Sequence, residues 1–256
     1  SPATEVTAGA GVVIPVLLGI LLIGIGGSVV KPCISGTVQK TGGARRTLAF
    51  AVFYMVINIG SLAGRGVSYG VRTRWDLAGI FAVGAVFSVI AFLTVLFVYR
   101  DPEVELGAAA PAAKPRRSVW RILADMVVVL RNRRFALFLL VSSGFFFLYA
   151  QVYNVLPLYL KKVVETDPAV DIYTMANPLV IVAFQLLVTK LFGGLKPIRS
   201  IIVGTVIIGL SMAVNLVPIL TGNLRGGVFG LLPMGALVVV LTVALIAFGE
   251  LFTSAR

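Results

Sequence analysis

Two side chains of opposite charge stand inside apolar stretches of the sequence, and they are the strongest candidates for chemistry. Lys31 lies in the apolar run 24–35, and Glu250 follows Phe248 and Gly249 near the end of another apolar run. A charge at the centre of a membrane helix costs about 2.5 to 3.5 kcal/mol and usually marks an ion or substrate pathway. Of the 10 acidic residues, Glu250 alone falls within a predicted span. We therefore predict that Lys31 pairs with Glu250.

The chemistry of such a pair is that of a switch. A lysine and a glutamate in a medium of low dielectric each favour the charged form of the other. Protonation of Glu250, or a substrate carboxylate that replaces it, would release Lys31 to bind another anion. Two plainer interpretations stay open. The long side chain of Lys31 could snorkel to the membrane interface, or the pair could be a fixed structural ion pair.

Four further polar side chains share one face of a neighbouring span. Tyr54, Asn58, Ser61 and Arg65 are spaced at helical intervals, which aligns them in one stripe. Lipid is a poor environment for this stripe, so we expect it to face a cavity or another helix. Ser and Asn also hydrogen-bond between membrane helices as packing contacts, and a purely structural role is the alternative.

Two later spans add polar groups that could line the same cavity. Asn177 precedes Pro178 at the start of one span, where the proline frees a backbone carbonyl. The span before it carries four polar side chains, Tyr149, Gln151, Tyr153 and Asn154. Helix-start chemistry and interfacial aromatic residues are the alternative explanation for both groups.

The composition indicates that all these residues belong to a membrane protein. Hydrophobic residues make up 59% of the chain and charged residues only 12%, which is outside the range of soluble domains. The net charge of +12 would suit nucleic acid, but the basic residues fall between apolar segments, so membrane topology explains them better. One cysteine, Cys33, excludes an internal disulfide, and the lack of histidine argues against a zinc site. We expect no metal, no cofactor and no nucleic-acid partner.

Seven apolar segments are long enough to cross a bilayer, which takes roughly 20 residues. Residues 100–134 interrupt the pattern with an Ala/Pro-rich part, 107–115, and a basic part, 118–130, that could form a short surface helix. The predicted fold class is an all-α membrane protein, with seven transmembrane helices in two partial bundles joined by this linker. The predicted spans are 11–38, 47–69, 77–99, 135–160, 172–192, 200–220 and 228–254.

The basic residues also predict which ends of the spans face the cytoplasm. Most of the 22 Lys and Arg residues lie in the linker 100–134 and in the loops that share its side of the membrane. Cytoplasmic loops carry an excess of basic residues, so we place this face and the linker in the cytoplasm and the chain in the plasma membrane. The chain begins without methionine and ends just after an apolar span, and we interpret it as an internal piece of a longer protein.

The stretch 50–62, with the sequence FAVFYMVINIGSL, resembles the fifth-helix signature of the proton-dependent oligopeptide transporters, a branch of the major facilitator superfamily. The chain departs from that branch in placing three residues, 28–30, between the Gly-Gly and Lys-Pro of helix four. Three other stretches agree with the family in order: the Gly-Gly and Lys-Pro of helix four, Asn177-Pro178 of helix eight, and Gly249-Glu250-Leu251 of helix ten.

The resemblance implies a partial major facilitator fold. Residues 1–99 would be helices four to six of the N-terminal bundle. Residues 135–256 would be helices seven to ten of the C-terminal bundle, and residues 100–134 would be the cytoplasmic linker between the two. Transporters of this superfamily bind their substrate near the midplane, between the two halves.

The resemblance also implies roles for individual residues. Glu250 and Lys31 would form the salt bridge that couples protons to transport, and Asn177 would help to bind the peptide. Tyr54 and Asn58 would correspond to the helix-five tyrosine and asparagine. The predicted substrate-binding set is Lys31, Tyr54, Asn58, Gln151, Asn154 and Asn177, and the predicted proton-coupling pair is Glu250 and Lys31.

The predicted function is a proton-coupled symporter of small peptides or related solutes that works by alternating access. Its partners would be the substrate, protons and the lipid bilayer. A drug or metabolite exporter of the same superfamily is the alternative within this class. A seven-helix receptor is a further alternative, although a retinal pigment would need a lysine in the last span, which has none. A channel or structural subunit also stays open, whereas an enzyme is disfavoured because no nucleophile with a base and no phosphate-binding loop is present.

Overall fold

The computed structural model describes residues 10–100, 118–228 and 232–253, and these residues are almost entirely helical. The first two long helices are α1 (Ala10–Thr41) and α2 (Arg46–Phe97), joined by a 3-10 turn at Gly43–Arg45. The helices that follow are α3 (Val119–Val129), α4 (Arg133–Tyr159), which continues as a π-helical turn at Leu160–Val164, α5 (Val170–Thr174), α6 (Ala176–Phe192), α7 (Pro197–Ala213) and α8 (Leu216–Leu220). A short hairpin of β1 (Gly227–Val228) and β2 (Leu232–Pro233) leads into α9 (Met234–Thr253).

The structure confirms the predicted fold class, an all-α membrane architecture. Seven helical segments of the described chain are long and apolar enough to cross a bilayer. The Ala/Pro-rich part of the predicted linker, 107–115, lies outside the described residues, and the basic part contains helix α3. The spanning segments are Val13–Thr41, Gly43–Trp75, Gly79–Phe97, Arg133–Val164, Val170–Phe192, Ile198–Leu220 and Met234–Thr253.

The predicted loop between the second and third spans is wrong, because α2 continues through it as one helix of 52 residues. No proline interrupts residues 70–76, and the single glycine there, Gly70, costs only about 1 kcal/mol in a helix. At 1.5 Å per residue such a helix is about 78 Å long, more than twice the roughly 30 Å of bilayer hydrocarbon. Both spans can therefore lie in one membrane only where α2 bends or opens between Trp75 and Gly79.

The predicted start of the last span at residue 228 is also wrong, because α9 begins at Met234. Gly227 pairs with Pro233 in an antiparallel ladder, and the Met234 amide donates a hydrogen bond to the Gly226 carbonyl at 2.8 Å. The apolar residues of this hairpin look like part of the span in the sequence, but their backbone groups are used by the ladder.

Helix α9 lies at the centre of the packing, between α6 and α7. Its crossing with α7 brings two glycines together: a Cβ atom on Gly204 would stand 2.5 Å from the Gly249 carbonyl oxygen, and one on Gly249 would stand 2.6 Å from Cγ1 of Ile208. The buried Ser200 hydroxyl donates to the Phe252 carbonyl at 2.7 Å nearby. This close approach fixes the rotation of α9 about its axis, and with it the direction of the neighbouring Glu250 side chain.

Two apolar clusters pack along α9. The first packs Val239 and Val243 of α9 against Leu160 at the end of α4 and against Tyr173 of α5. The second cluster packs residues of α6 and the end of α9, with Tyr54 of α2 against it; its buried members are Ile181, Val188, Ala247, Leu251 and Phe252. Glu250 lies at the second cluster, between Ala247 and Leu251, and receives hydrogen bonds from helices on both sides of the predicted linker.

Candidate functional site

The Glu250 carboxylate is the centre of the candidate site. Its side chain is 8% exposed, although α9 is a membrane-spanning helix. Tyr54 donates its hydroxyl to Oε2 at 2.7 Å, and Asn177 donates Nδ2 to Oε1 at 2.9 Å. The Tyr149 hydroxyl also donates to Oε1. These three donors come from α2, α6 and α4, and all three are neutral groups.

The polar stripe of α2 supplies the Tyr54 donor. Asn58 is 6% exposed and donates to the Tyr54 carbonyl at 2.8 Å, so its amide is bonded to its own helix. Ser61 and Arg65, further along the stripe, are half-buried, whereas Val56 between them and Tyr54 is exposed. The helix therefore turns its polar face to the protein, and Asn58 supports the backbone that carries Tyr54.

Asn177 reaches Glu250 because of where α6 begins. The helix starts at Ala176, which places Asn177 and the buried Pro178 in its first turn. Proline fits there because the amides of the first turn lack partners within the helix. The helix-start role and the site role are thus compatible: the proline sets the start of α6, and the start of α6 directs the Asn177 amide to the carboxylate.

Tyr149 was missing from the predicted binding set, which took Gln151 and Asn154 from the same helix. Gln151 is half-buried, Asn154 is exposed, and neither is among the described donors to Glu250. Gln151 lies about 200° around the helix from Tyr149, so the two cannot face the same carboxylate. The spacing of Tyr149 and Tyr153 was the available signal, because residues four apart share a face, and their rings are 5.5 Å apart. Substrate contacts of Gln151 and Asn154 stay predictions.

Lys31 is part of helix α1, but its side chain is not among the described parts of the structure. The predicted pairing of Lys31 with Glu250 therefore stays a prediction. Among the described residues, histidine, cysteine and acidic side chains do not form a group of three that could hold a metal ion.

A second set of contacts joins α2 to α5. Arg65 donates to the Thr174 hydroxyl, and Arg72 forms a salt bridge with Asp171 at 3.3 Å. The Arg65 Nε atom is buried without a hydrogen-bond partner in the described residues. From Tyr54 to Arg72 the α2 contacts extend about 27 Å at 1.5 Å per residue, close to the thickness of the hydrocarbon core.

Comparisons with known proteins agree with a membrane transporter. Residues 4–255 match the family model described as Major Facilitator Superfamily. Two curated relatives, from two strains of Mycobacterium tuberculosis, are uncharacterized MFS-type transporters, and each is 28% identical over 201 residues. The alignment covers 77% of this chain and 45% of each relative, so the chain spans about half the length of the curated relatives it matches. No solved structure gives a significant match.

Proposed function

Because the chain belongs to the major facilitator superfamily, we propose that it is part of a proton-coupled secondary transporter in which Glu250 binds the proton. Its seven candidate spans make it a multi-pass membrane protein, and the family indicates a transporter rather than an enzyme. One observation carries the proposal: a carboxylate inside a membrane-spanning helix receives hydrogen bonds from three neutral groups on three other helices.

Proton binding would change this arrangement of hydrogen bonds. An ionised carboxylate only accepts hydrogen bonds, so it suits the three donors of Tyr54, Tyr149 and Asn177. A protonated carboxyl group carries a donor of its own and is a weaker acceptor than a carboxylate. The hydrogen bonds from Tyr54, Tyr149 and Asn177 would therefore weaken, because they would no longer go to a charged group. Loss of the negative charge also removes the cost of an ion in a medium of low dielectric.

The Tyr54 contact is the one that links this change to the two halves of the transporter. Tyr54 precedes the proposed linker and Glu250 follows it, so their hydrogen bond joins the two proposed bundles. Breaking this bond would allow α2 to separate from α9, as alternating access between two rigid halves requires. The contacts of Arg65 and Arg72 with α5 lie further along α2, and in this proposal they close the outer end of the site.

For the substrate we propose a small peptide or a related solute, taken up with protons across the plasma membrane. The resemblance of residues 50–62 to the peptide-transporter signature supports this class, and so does the amide group of Asn177 beside Glu250. Lys31 is proposed to bind the substrate carboxylate. An inward-negative potential supplies about 2.3 kcal/mol per charge per 100 mV, which can drive a neutral substrate uphill with a proton.

The test is uptake of a labelled dipeptide by proteoliposomes that contain the intact transporter, with an inward acid gradient. We expect Glu250→Gln to abolish accumulation driven by the gradient and to keep exchange of substrate. Glu165→Gln is the matched control, because it removes a half-buried carboxylate outside the site and is expected to keep accumulation.

The outcomes separate the parts of the proposal. Accumulation by Glu250→Gln at the wild-type level would refute the role of this carboxylate. If wild type carries protons with another solute but not with the dipeptide, the peptide substrate is wrong and the role of Glu250 stands. If an outward flux of solute consumes the inward proton gradient, the protein is the exporter considered as the alternative.

A further inference from the structure

Helix α3 carries an apolar face that the described residues leave uncovered. Trp120 is 80% exposed, Met126 62% and Val127 65%. Ile122 and Val129 are exposed as well, and these five side chains fall within about half of the helix circumference. The two charged residues of the helix, Arg121 and Asp125, lie together on the other half. The helix is thus amphipathic, with a tryptophan on its apolar side.

A short hydrogen-bonded turn holds α3 next to a membrane-spanning helix. The Asn132 side chain accepts hydrogen bonds from the amides of Arg134 and Phe135, at 3.2 and 3.4 Å, and so caps the start of α4. The backbone amide of Asn132 in turn donates to the Val129 carbonyl of α3 at 3.2 Å. The three residues between the helices can reach at most about 10 Å. Because the α4 span begins at Arg133, the end of α3 cannot move far from the membrane surface.

The charges around this turn complement an anionic surface. Arg131, Arg133 and Arg134 are all exposed, and Arg121 adds a fourth cation on the polar half of α3. Guanidinium groups bind phosphate oxygens well, often in a bidentate manner. An amphipathic helix with arginines on one side and tryptophan on the other is typical of segments that lie in the membrane interface.

We propose that α3 lies along the membrane surface, with Trp120 and Met126 in the interface and the arginines on the phosphates of anionic lipids. The charge distribution predicts that this is the cytoplasmic leaflet, where anionic lipids concentrate. The proposal goes beyond transport and does not depend on the role of Glu250. It assigns a lipid-binding function to the segment that joins the two proposed bundles.

Fluorescence of Trp120 provides the test, because Trp75→Phe leaves it as the only tryptophan of this chain. The full chain is placed in vesicles of brominated phosphatidylcholine, with or without phosphatidylglycerol, and is also titrated with aqueous acrylamide. We expect the brominated lipid to quench Trp120 and acrylamide to quench it weakly in the anionic vesicles. Each arginine at an anionic surface strengthens binding about fivefold, so Arg121→Gln with Arg131→Gln is expected to lower the ratio of docked to undocked helix about 25-fold there.

Matched variants separate docking from general effects of charge. Met126→Asp should abolish quenching by the lipid, whereas Val128→Asp, on the polar half within about 20° of Arg121, should keep it. Lys196→Gln with Arg199→Gln, at the start of α7, controls for loss of positive charge and should leave Trp120 quenching unchanged.

Three results would overturn the proposal. Equal behaviour of Met126→Asp and Val128→Asp would show that the apolar face is not what docks. Strong acrylamide quenching without lipid quenching would place Trp120 in water. Equal lipid quenching of Trp120 with and without phosphatidylglycerol, unaffected by the loss of Arg121 and Arg131, would exclude anionic lipid as the partner.

Discussion

Helix α9, which carries Glu250, and two spans of the first third of the chain are about equally apolar in sequence but differ in how far the described residues cover them. In the span Met234–Thr253, 67% of the apolar stretch is buried, whereas in Val13–Thr41 and Gly79–Phe97 the share is 0%. The buried polar side chains of the described residues lie on α9 and on the parts of α2, α5, α6 and α7 that pack near it. Hydropathy therefore identifies what can cross a membrane, and buried polar groups identify which faces meet protein.

Close backbone contact marks the same difference. In the covered region, Gly204 and Gly249 allow α7 and α9 to approach so closely that a single methyl group would collide. In the exposed region, a Cβ atom on Gly24 or Gly84 would have nothing within 4 Å. Lipid solvates apolar side chains well, and a helix satisfies its own backbone hydrogen bonds. Neither the side chains nor the backbone of these spans therefore needs a protein neighbour. The close approach of α7 and α9 thus lies next to Glu250, the charged group that has to be held.

The largest effect is expected from a leucine at the glycine crossing. Gly249→Leu should destabilise the protein by about 3 kcal/mol, because its side chain would overlap Ile208 and the Gly204 carbonyl. Gly84→Leu, in the exposed half of α2, should be neutral or slightly stabilising, since leucine favours helix over glycine. Unfolding with denaturing detergent measures both variants. Equal losses would remove the distinction between the two regions.

A smaller effect is expected from the hydrogen bond that connects α2 to Glu250. Tyr54→Phe should cost about 1.5 kcal/mol or more, the usual contribution of a hydrogen bond to a charged group. Tyr69→Phe, at an exposed position of the same helix, is the control and should change stability little. The same unfolding assay applies. An equal, small loss in both variants would mean that the Tyr54 contact contributes nothing to holding α2 against α9.

The smallest effect is expected at the salt bridge between α2 and α5. Arg72→Gln should cost less than about 1 kcal/mol, because both side chains are partly exposed and such pairs are weak. If the pair closes the outer end of the site, the variant should nevertheless speed reaction of a cysteine placed at Ser61 with a membrane-impermeant maleimide, with Cys33 replaced by serine. An unchanged labelling rate would exclude a closing role for Arg72.

The spans and part of the site could be predicted because each depends on a local pattern. The length of the apolar segments predicted the spans. The spacing of the polar residues predicted which face of α2 turns toward the protein. The Asn-Pro pair predicted the start of the helix that carries Asn177. Tyr149 was missed because its partner is 101 residues away in the chain, and only the helix packing brings them together. The continuity of α2 was missed because charged residues at 72–76 were taken as a loop signal, although they are compatible with a helix.

The differences between prediction and structure around α9 have a similar physical origin. Composition could not distinguish the hairpin before Met234 from helix, because both are apolar, and the pairing of Gly227 with Pro233 depends on backbone geometry. Glu250 was identified by its charge alone. Its hydrogen-bond donors could be identified only with knowledge of the rotation of α9 about its axis. Gly204 and Gly249 fix that rotation, and the sequence pattern of a single helix does not reveal it.

The most direct test of the central claim is infrared difference spectroscopy of the protein in lipid as the pH is lowered. The account predicts a carboxylic-acid C=O band that is absent in Glu250→Gln, shifted in frequency in Tyr54→Phe, and unchanged in Glu165→Gln. Such a result would show that Glu250 takes up the proton and that Tyr54 is bonded to it. A band that persists unaltered in Glu250→Gln would assign proton uptake to another group and contradict the account.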